Sequence, residues 1–363
     1  MRRVIKSLLT IAFSAALSAI TFINAAKADD GNFVGNLRLG YIHSADDDGN
    51  NAASSAFGGK LGYVSSHWQA LSAGGTVYAT QKMFNDDNGD FFGSDGQSYA
   101  ILGEAFIQAN LANTNIVAGR FEFDSPFADT DDIRMMPNTF SGVAIANTDI
   151  ASTKIYAVYF DQWSGVDSDV PEDFTDLNGD DGLYTAGAIF EADNGLAIQA
   201  WYYLGRNYAN FSYAEAMFEF GNFVVGAQFA SQSDDTADGS GPDGDVYGIL
   251  ASYNFIANVT VTAAYNEVSG TVVNGFGGGP FFTSSGDHTI INSQDQNAMA
   301  VGIDYEGIDN LTLSILHVTF DKGADETDVT AAYKFSDIMS LVAAYHHMYE
   351  DGEMLLIRFN VGF

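Results

Sequence analysis

The last stretch of the chain sets the strongest constraint on its fold. Leu355, Ile357, Phe359, Val361 and Phe363 fall on one face of an extended segment, and Leu356, Arg358, Asn360 and Gly362 on the other. Side chains alternate across a strand, so this segment presents one apolar and one polar face. The same period of two returns near the start, with Leu37, Leu39 and Tyr41 set against Asn36, Arg38 and Gly40. Phe57, Leu61 and Tyr63 repeat it against Gly58, Lys60 and Gly62. Segments of roughly ten residues with alternating polarity, separated by turn residues, are the pattern of a membrane β-barrel. Beyond the first 28 residues no window holds the ~18 consecutive apolar residues of a transmembrane helix.

Connection lengths support that reading. Short turns fall at 112–114, 192–195, 221–222, 306–309 and 336–338. Longer acidic or glycine-rich stretches fall at 44–54, 83–97, 164–182, 233–244 and 268–296. Short turns at the periplasmic end and long loops at the outer end are the asymmetry of bacterial barrels. Counting between the connections gives an all-β, antiparallel transmembrane barrel of about 18 strands, with 16 as the alternative. All five long stretches are read as outer loops.

Residues 1–28 read as a secretory signal. Arg2, Arg3 and Lys6 precede an apolar run, and Ala26-Lys27-Ala28 offers a cleavage site. Without that leader, 10 basic residues face 47 acidic ones, a net charge of −37 over 29–363. Such a charge argues against nucleic acid and anionic lipid as partners. Cysteine is absent, which removes disulfides and thiolate chemistry. No second domain is visible, so 29–363 is read as one barrel in the outer membrane, facing lipid outside and solutes inside. The C-terminal strand ending in phenylalanine looks like the signal read by the barrel assembly machinery.

One stretch departs from the alternation. Gly119–Gly142 begins as a strand and then breaks into an acidic loop stiffened by Pro126 and Pro137. Its residues Gly119, Arg120, Pro126, Asp132, Arg134, Pro137, Thr139, Phe140 and Gly142 form a pattern that resembles the OprD family of outer-membrane porins. The resemblance implies an 18-stranded pore, a monomer or loose homotrimer, narrowed by its third outer loop at about 124–138. It also implies passive diffusion of carboxylate-bearing solutes such as amino acids and aromatic acids. Family members carry a ladder of basic residues opposite acidic loop groups.

The residues themselves suggest where those charges sit. Alternation directs Arg38, Lys60, Lys82, Arg120 and Arg358 inward on neighbouring strands, with Arg38 and Arg358 at similar height. Asp124, Asp129, Asp131, Asp132 and Arg134 belong to the constriction loop. Half a barrel away, Glu215 and Glu219 share an inward face with Tyr213 and Met217. Opposed charges across a narrow pore create a transverse field that orients dipolar solutes.

Other motifs point to no catalytic or metal site and no cofactor. Asp176–Asp181 begins like a calcium loop, but Asp181 and Gly187 occupy positions that need glycine and glutamate. Gly277–Gly279 lacks the following helix of a phosphate cradle. His346 and His347 are adjacent in a strand and point to opposite faces, which disfavours joint ligation. No serine, histidine and acid stand in a catalytic pattern, so an enzyme barrel is the weaker rival. A non-conducting structural or adhesive barrel is the other alternative.

Overall fold

The computed structural model describes residues 31–84, 89–256 and 258–363. The expected leader, 1–28, lies outside the described residues. In chain order the strands are β1 (Asn32–Ala45), β2 (Asn51–Val64), β3 (Leu71–Lys82), β4 (Tyr99–Leu111), β5 (Thr114–Phe121) and β6 (Thr139–Asn147). Next come β7 (Thr153–Ser164), β8 (Thr175–Asp176), β9 (Leu183–Glu191), β10 (Leu196–Gly205), β11 (Ala209–Phe220), β12 (Phe223–Asp234) and β13 (Asp243–Ile256). The set ends with β14 (Val259–Thr271), β15 (Asn297–Ile308), β16 (Leu311–Phe320), β17 (Glu326–Lys334), β18 (Met339–Met348) and β19 (Gly352–Gly362).

Each wall strand pairs antiparallel with its sequence neighbours, and β1 pairs with β19 to close the ring. Strand β8 stands outside the ring, touching only the end of β7, while β7 pairs directly with β9. Eighteen strands therefore form the wall. Closure leaves no unpaired edge, which lipid would not tolerate.

The expected alternation is present around the wall. On β1, Leu37, Leu39 and Tyr41 are exposed outward, while Asn36, Arg38 and Ile42 are buried inward. Two hydrophobic clusters occupy parts of the interior. Phe91 and Phe92 from the connection after β3 pack against Met135, Met136, Ile42 and Leu356. A larger cluster unites Phe121, Phe123, Phe127, Phe140, Phe160, Trp201, Tyr203, Phe211 and Phe281.

One expectation about the loops is overturned. Residues 272–296, read from sequence as an outer loop, turn down into the barrel. Phe281, Thr283 and Ile290 are fully or almost fully buried there. Wall amides hold this segment by its backbone. Gln232 exchanges two hydrogen bonds with Val273 (2.7 and 2.8 Å). Gln228 donates to the Pro280 carbonyl (2.9 Å) and accepts from the Phe282 amide (2.7 Å). Asn266 accepts from the Thr283 amide at 3.0 Å. These partners replace the water that the loop backbone gives up on entering the barrel.

Candidate functional site

The segment between β5 and β6 crosses the lumen and is held at both ends of its span. Strand β11 lies nine strands from β1 in either direction around the wall, so the two face each other. Phe127 reaches the β10–β11 side. It is fully buried, with ring centroids 5.7 Å from Tyr203, 5.2 Å from Phe211 and 6.3 Å from Phe281. Burying such a ring contributes roughly 1.5–3 kcal/mol. A Ser125–Ala128 turn presents it, closed by the Ser125 amide on the Ala128 carbonyl at 2.8 Å.

Asp132 reaches the opposite side. Both of its oxygens accept from the Arg38 guanidinium, and Arg358 Nη1 lies 3.7 Å away. Arg38 also donates to the Met135 carbonyl (3.0 Å), and Arg358 to the carbonyls of Asp132 (2.6 Å) and Arg134 (2.8 Å). The β1–β19 register pairs Arg38 with Asn360 and Gly40 with Arg358, so the two arginines sit two residues apart along the strand pair, and both guanidiniums converge on Asp132. Gly40 matters for another reason. A Cβ there would sit 2.7 Å from Met135 Sδ and 2.9 Å from the Phe91 ring, so only glycine lets the loops come this close to β1.

The remaining basic residues divide. Lys60 points inward and pairs with Glu122, whose Oε1 also accepts from Tyr78 at 2.8 Å. Tyr78 bridges onward to Glu104 at 2.9 Å. Lys82 points inward higher up, its ammonium 5.0 Å above the Phe92 ring. Arg120 corrects an expectation. It faces outward, paired in register with Ala105 and Ser141 on the face that carries exposed Ile107 and Val143. Its guanidinium lies 4.0 Å from the Phe174 ring and donates to the Leu102 carbonyl. The rule of polar residues inward assumes a wet lumen. Here the interior beside β5 is an aromatic cluster, so Phe121 turns in and Arg120 turns out.

Glu215 points inward as expected but lines no open wall. It is buried and accepts from Tyr213 (2.7 Å) and Gln199 (3.2 Å), while Tyr213 also touches the Pro280 carbonyl of the inward 272–296 segment. Glu219 is exposed near the short turn after β11. The two glutamates therefore do not act as a pair.

The acidic groups of the crossing loop have different surroundings. Burial would raise Asp132, but the Arg38 guanidinium holds it below the usual carboxylate range. Burial pushes Asp124 up to about 6. It pushes Asp131, beside Asp167, up to about 8. Asp129 rises well above its ordinary value through burial and the neighbouring Asp124. Asp129 and Asp131 border a cavity of about 480 Å³ that is shared with Arg134, Asp167, Asp287 and His288. Arg134 lies 4.0 Å from both Asp90 and Asp287.

The sequence reading missed what the second inward segment meets on the wall. Ser285, Gly286, Asp287 and His288 close on Glu326 and Asp328 of β17 and on His346 of β18. Charged residues at alternate positions of β17 were the available signal, since Glu326 and Asp328 share one face.

Comparison with known proteins agrees with this architecture. The family model for the outer membrane porin, OprD family, matches residues 71–307. Comparison with curated protein sequences gives no match. Among solved structures, the chain is similar to Pseudomonas aeruginosa OpdK, crystallised with vanillate. The TM-score is 0.79 at 18% identity, over 92% of this chain and 98% of that one. A BenF-like porin from Pseudomonas fluorescens Pf-5 gives 0.80 at 16% identity, over 93% and 100%. Acinetobacter baumannii OccAB3 gives 0.80 at 14%, over 92% and 99%. With a family match across most of its length and the matching 18-stranded wall, the chain belongs to the OprD family of outer-membrane porins.

Proposed function

We propose that this porin passes small polar solutes and ions by passive diffusion, and that residues 122–138 form its constriction. The observation that supports this reading most directly is the loop's span, with Phe127 on one wall and Asp132 on the facing one. A loop tethered on both sides narrows the lumen without depending on closure by another part.

Cations are the solutes this constriction favours. At the level of the crossing loop the inward bases Arg38, Lys60 and Arg358 stand among three carboxylates, Glu104, Glu122 and Asp132, while Lys82 lies higher against the Phe92 ring. With that block balanced, the charge facing the cavity is set by Asp90, Asp167 and Asp287 against Arg134 and His288, and Asp129 and Asp131, which burial holds protonated to higher pH, add to it as they ionise. A ladder free to bind carboxylates is therefore shorter than the sequence suggests. A second reading keeps carboxylate-bearing solutes such as amino acids and organic acids. It rests on Asp132 being shared by two arginines, which leaves one positive charge at that point of the wall.

Reversal potentials in a KCl gradient across planar bilayers test the first reading, with cation selectivity expected. Anion selectivity would overturn it. Liposome swelling with diamines, amino acids, dicarboxylates and sugars ranks the solutes, and faster entry of dicarboxylates than of diamines would favour the second reading. Absence of conductance would return the chain to the class of structural barrels.

A further inference from the structure

We propose that Glu326, Asp328 and His346 form a binding site for a divalent transition-metal ion such as zinc, placed where the inward 272–296 segment meets the wall. The three residues come from two adjacent strands. Asp328 and His346 are direct cross-strand partners, and Glu326 lies two residues from Asp328 on the same inward face. All three are buried, and one potential ligand atom from each lies within 4.8 Å of the others. Zinc holds nitrogen and oxygen ligands at about 2.0–2.2 Å, which places ligand atoms at most ~4.4 Å apart. In tetrahedral geometry the spacing is ~3.4 Å, which matches His346 Nδ1 to Glu326 Oε1 at 3.4 Å, while His346 Nδ1 and Asp328 Oδ1, 2.7 Å apart, would open by less than an ångström.

The chemistry of the donors selects the ion. Calcium and magnesium take oxygen ligands, whereas a buried imidazole beside two carboxylates suits zinc and its first-row neighbours. Among the described residues, the ion-pair partners of Glu326 and Asp328 are histidines, with no arginine or lysine. Two buried carboxylates without a lysine or arginine partner have a charge deficit that a divalent cation meets. His346 Nδ1 lies 2.7 Å from Asp328 Oδ1 and 3.4 Å from Glu326 Oε1. A metal ion would take the place of the proton that His346 and Asp328 share.

The surrounding contacts form an outer shell. Ser285 Oγ and the His288 amide donate to Glu326 Oε2 at 2.7 and 2.8 Å, the Asp287 amide to Oε1 at 3.1 Å, and the Gly286 amide to Asp328 Oδ2 at 2.8 Å. Two donors fill Glu326 Oε2, while Glu326 Oε1 and the Asp328 oxygens each keep a lone pair for a metal, and such bonds orient ligating carboxylates. A Cβ on Gly286 would lie 2.0 Å from His346 Nδ1, so the segment can close over the cluster only with glycine at this position. His288 Nδ1 lies 3.2 Å from Glu326 Oε2 without the alignment of a hydrogen bond, an imidazole nitrogen already beside the site. An ion bound here would join the wall to the segment and fix its 285–288 turn in place.

Calorimetric titration of zinc chloride into the detergent-solubilised porin, with excess calcium occupying surface carboxylates, tests the site. One saturable zinc site is expected. It should vanish in His346→Ala and Asp328→Asn, weaken about 10–100-fold in His288→Ala, and persist in His347→Ala, whose side chain points to the other face. Far-UV circular dichroism and heat-modifiable gel mobility establish that each variant is folded. Cobalt(II) absorption on the unaltered protein provides an independent readout should a variant fail to fold, with a d–d band of a low-symmetry nitrogen–oxygen site expected. Absence of a saturable zinc site, survival of that site in folded His346→Ala, or a cobalt spectrum matching the hexa-aquo ion would each overturn the proposal.

Discussion

Two segments turn into this barrel, and they are held there by opposite means. Residues 122–138 carry their own anchors, an aspartate for the wall arginines and a phenylalanine for an aromatic pocket. Residues 272–296 are short of anchoring charge and rich in glycine, and the wall grips their backbone with Gln228, Gln232, Asn266 and Glu326. In the first case the loop side chains specify the fit. In the second the specificity lies in strands far away in sequence. Charged and aromatic anchors are visible in a local window, while amides that receive a distant backbone look like ordinary inward polar residues.

The comparison predicts unequal responses to damage. Removing Asp124–Ile133 deletes both anchors of the crossing loop, and single-channel conductance should rise several-fold. An unchanged conductance would place the constriction elsewhere. Phe127→Ala leaves a cavity in the aromatic pocket and should cost about 3–5 kcal/mol. Chemical denaturation of the refolded barrel measures that loss, and open-state current noise reports a loosened loop.

Arg38→Ala should cost less, about 1.5–3 kcal/mol for hydrogen bonds to a charged group. It should also shift the reversal potential toward stronger cation selectivity, because Asp132 loses its main partner while Arg358 remains. Gly286→Val tests the second segment. The added side chain meets the His346 ring, so local protection of 285–288 in hydrogen exchange should fall while conductance changes less than in the 124–133 deletion. A larger conductance change than in that deletion would reverse the ranking of the two segments.

The smallest expected effect is on pH. Asp124 and Asp131 titrate near about 6 and about 8, and both are neutral below those values and negative above them. Cation selectivity should therefore rise in two steps between about pH 5 and about pH 9. Asp124→Asn and Asp131→Asn should each remove one step. A flat profile in the unaltered protein would mean that neither carboxylate faces the conducting path.

The wall was legible residue by residue because a strand has a period of two and lipid penalises polar groups on its outer face. That pattern sufficed for eighteen strands and for the inward direction of Arg38 and Arg358. The crossing loop was legible because its prolines and aspartates interrupt the alternation within a short window. Arg120 shows the limit of this reasoning. Its direction depends on whether the space behind β5 holds water or phenylalanine, and that is set by Phe140, Phe160 and Tyr156 on other strands.

The sequence by itself determined the closed antiparallel wall, the acidic character of the long connections and the segment that would interrupt them. Tertiary structure alone decided that the Gly-rich 272–296 segment also enters the lumen, that the basic residues are largely matched by carboxylates, and that Glu326, Asp328 and His346 meet. The reason is physical. Alternation is a local consequence of backbone geometry, whereas filling a barrel depends on which distant side chains can satisfy a buried loop's polar groups, and no local period encodes that pairing.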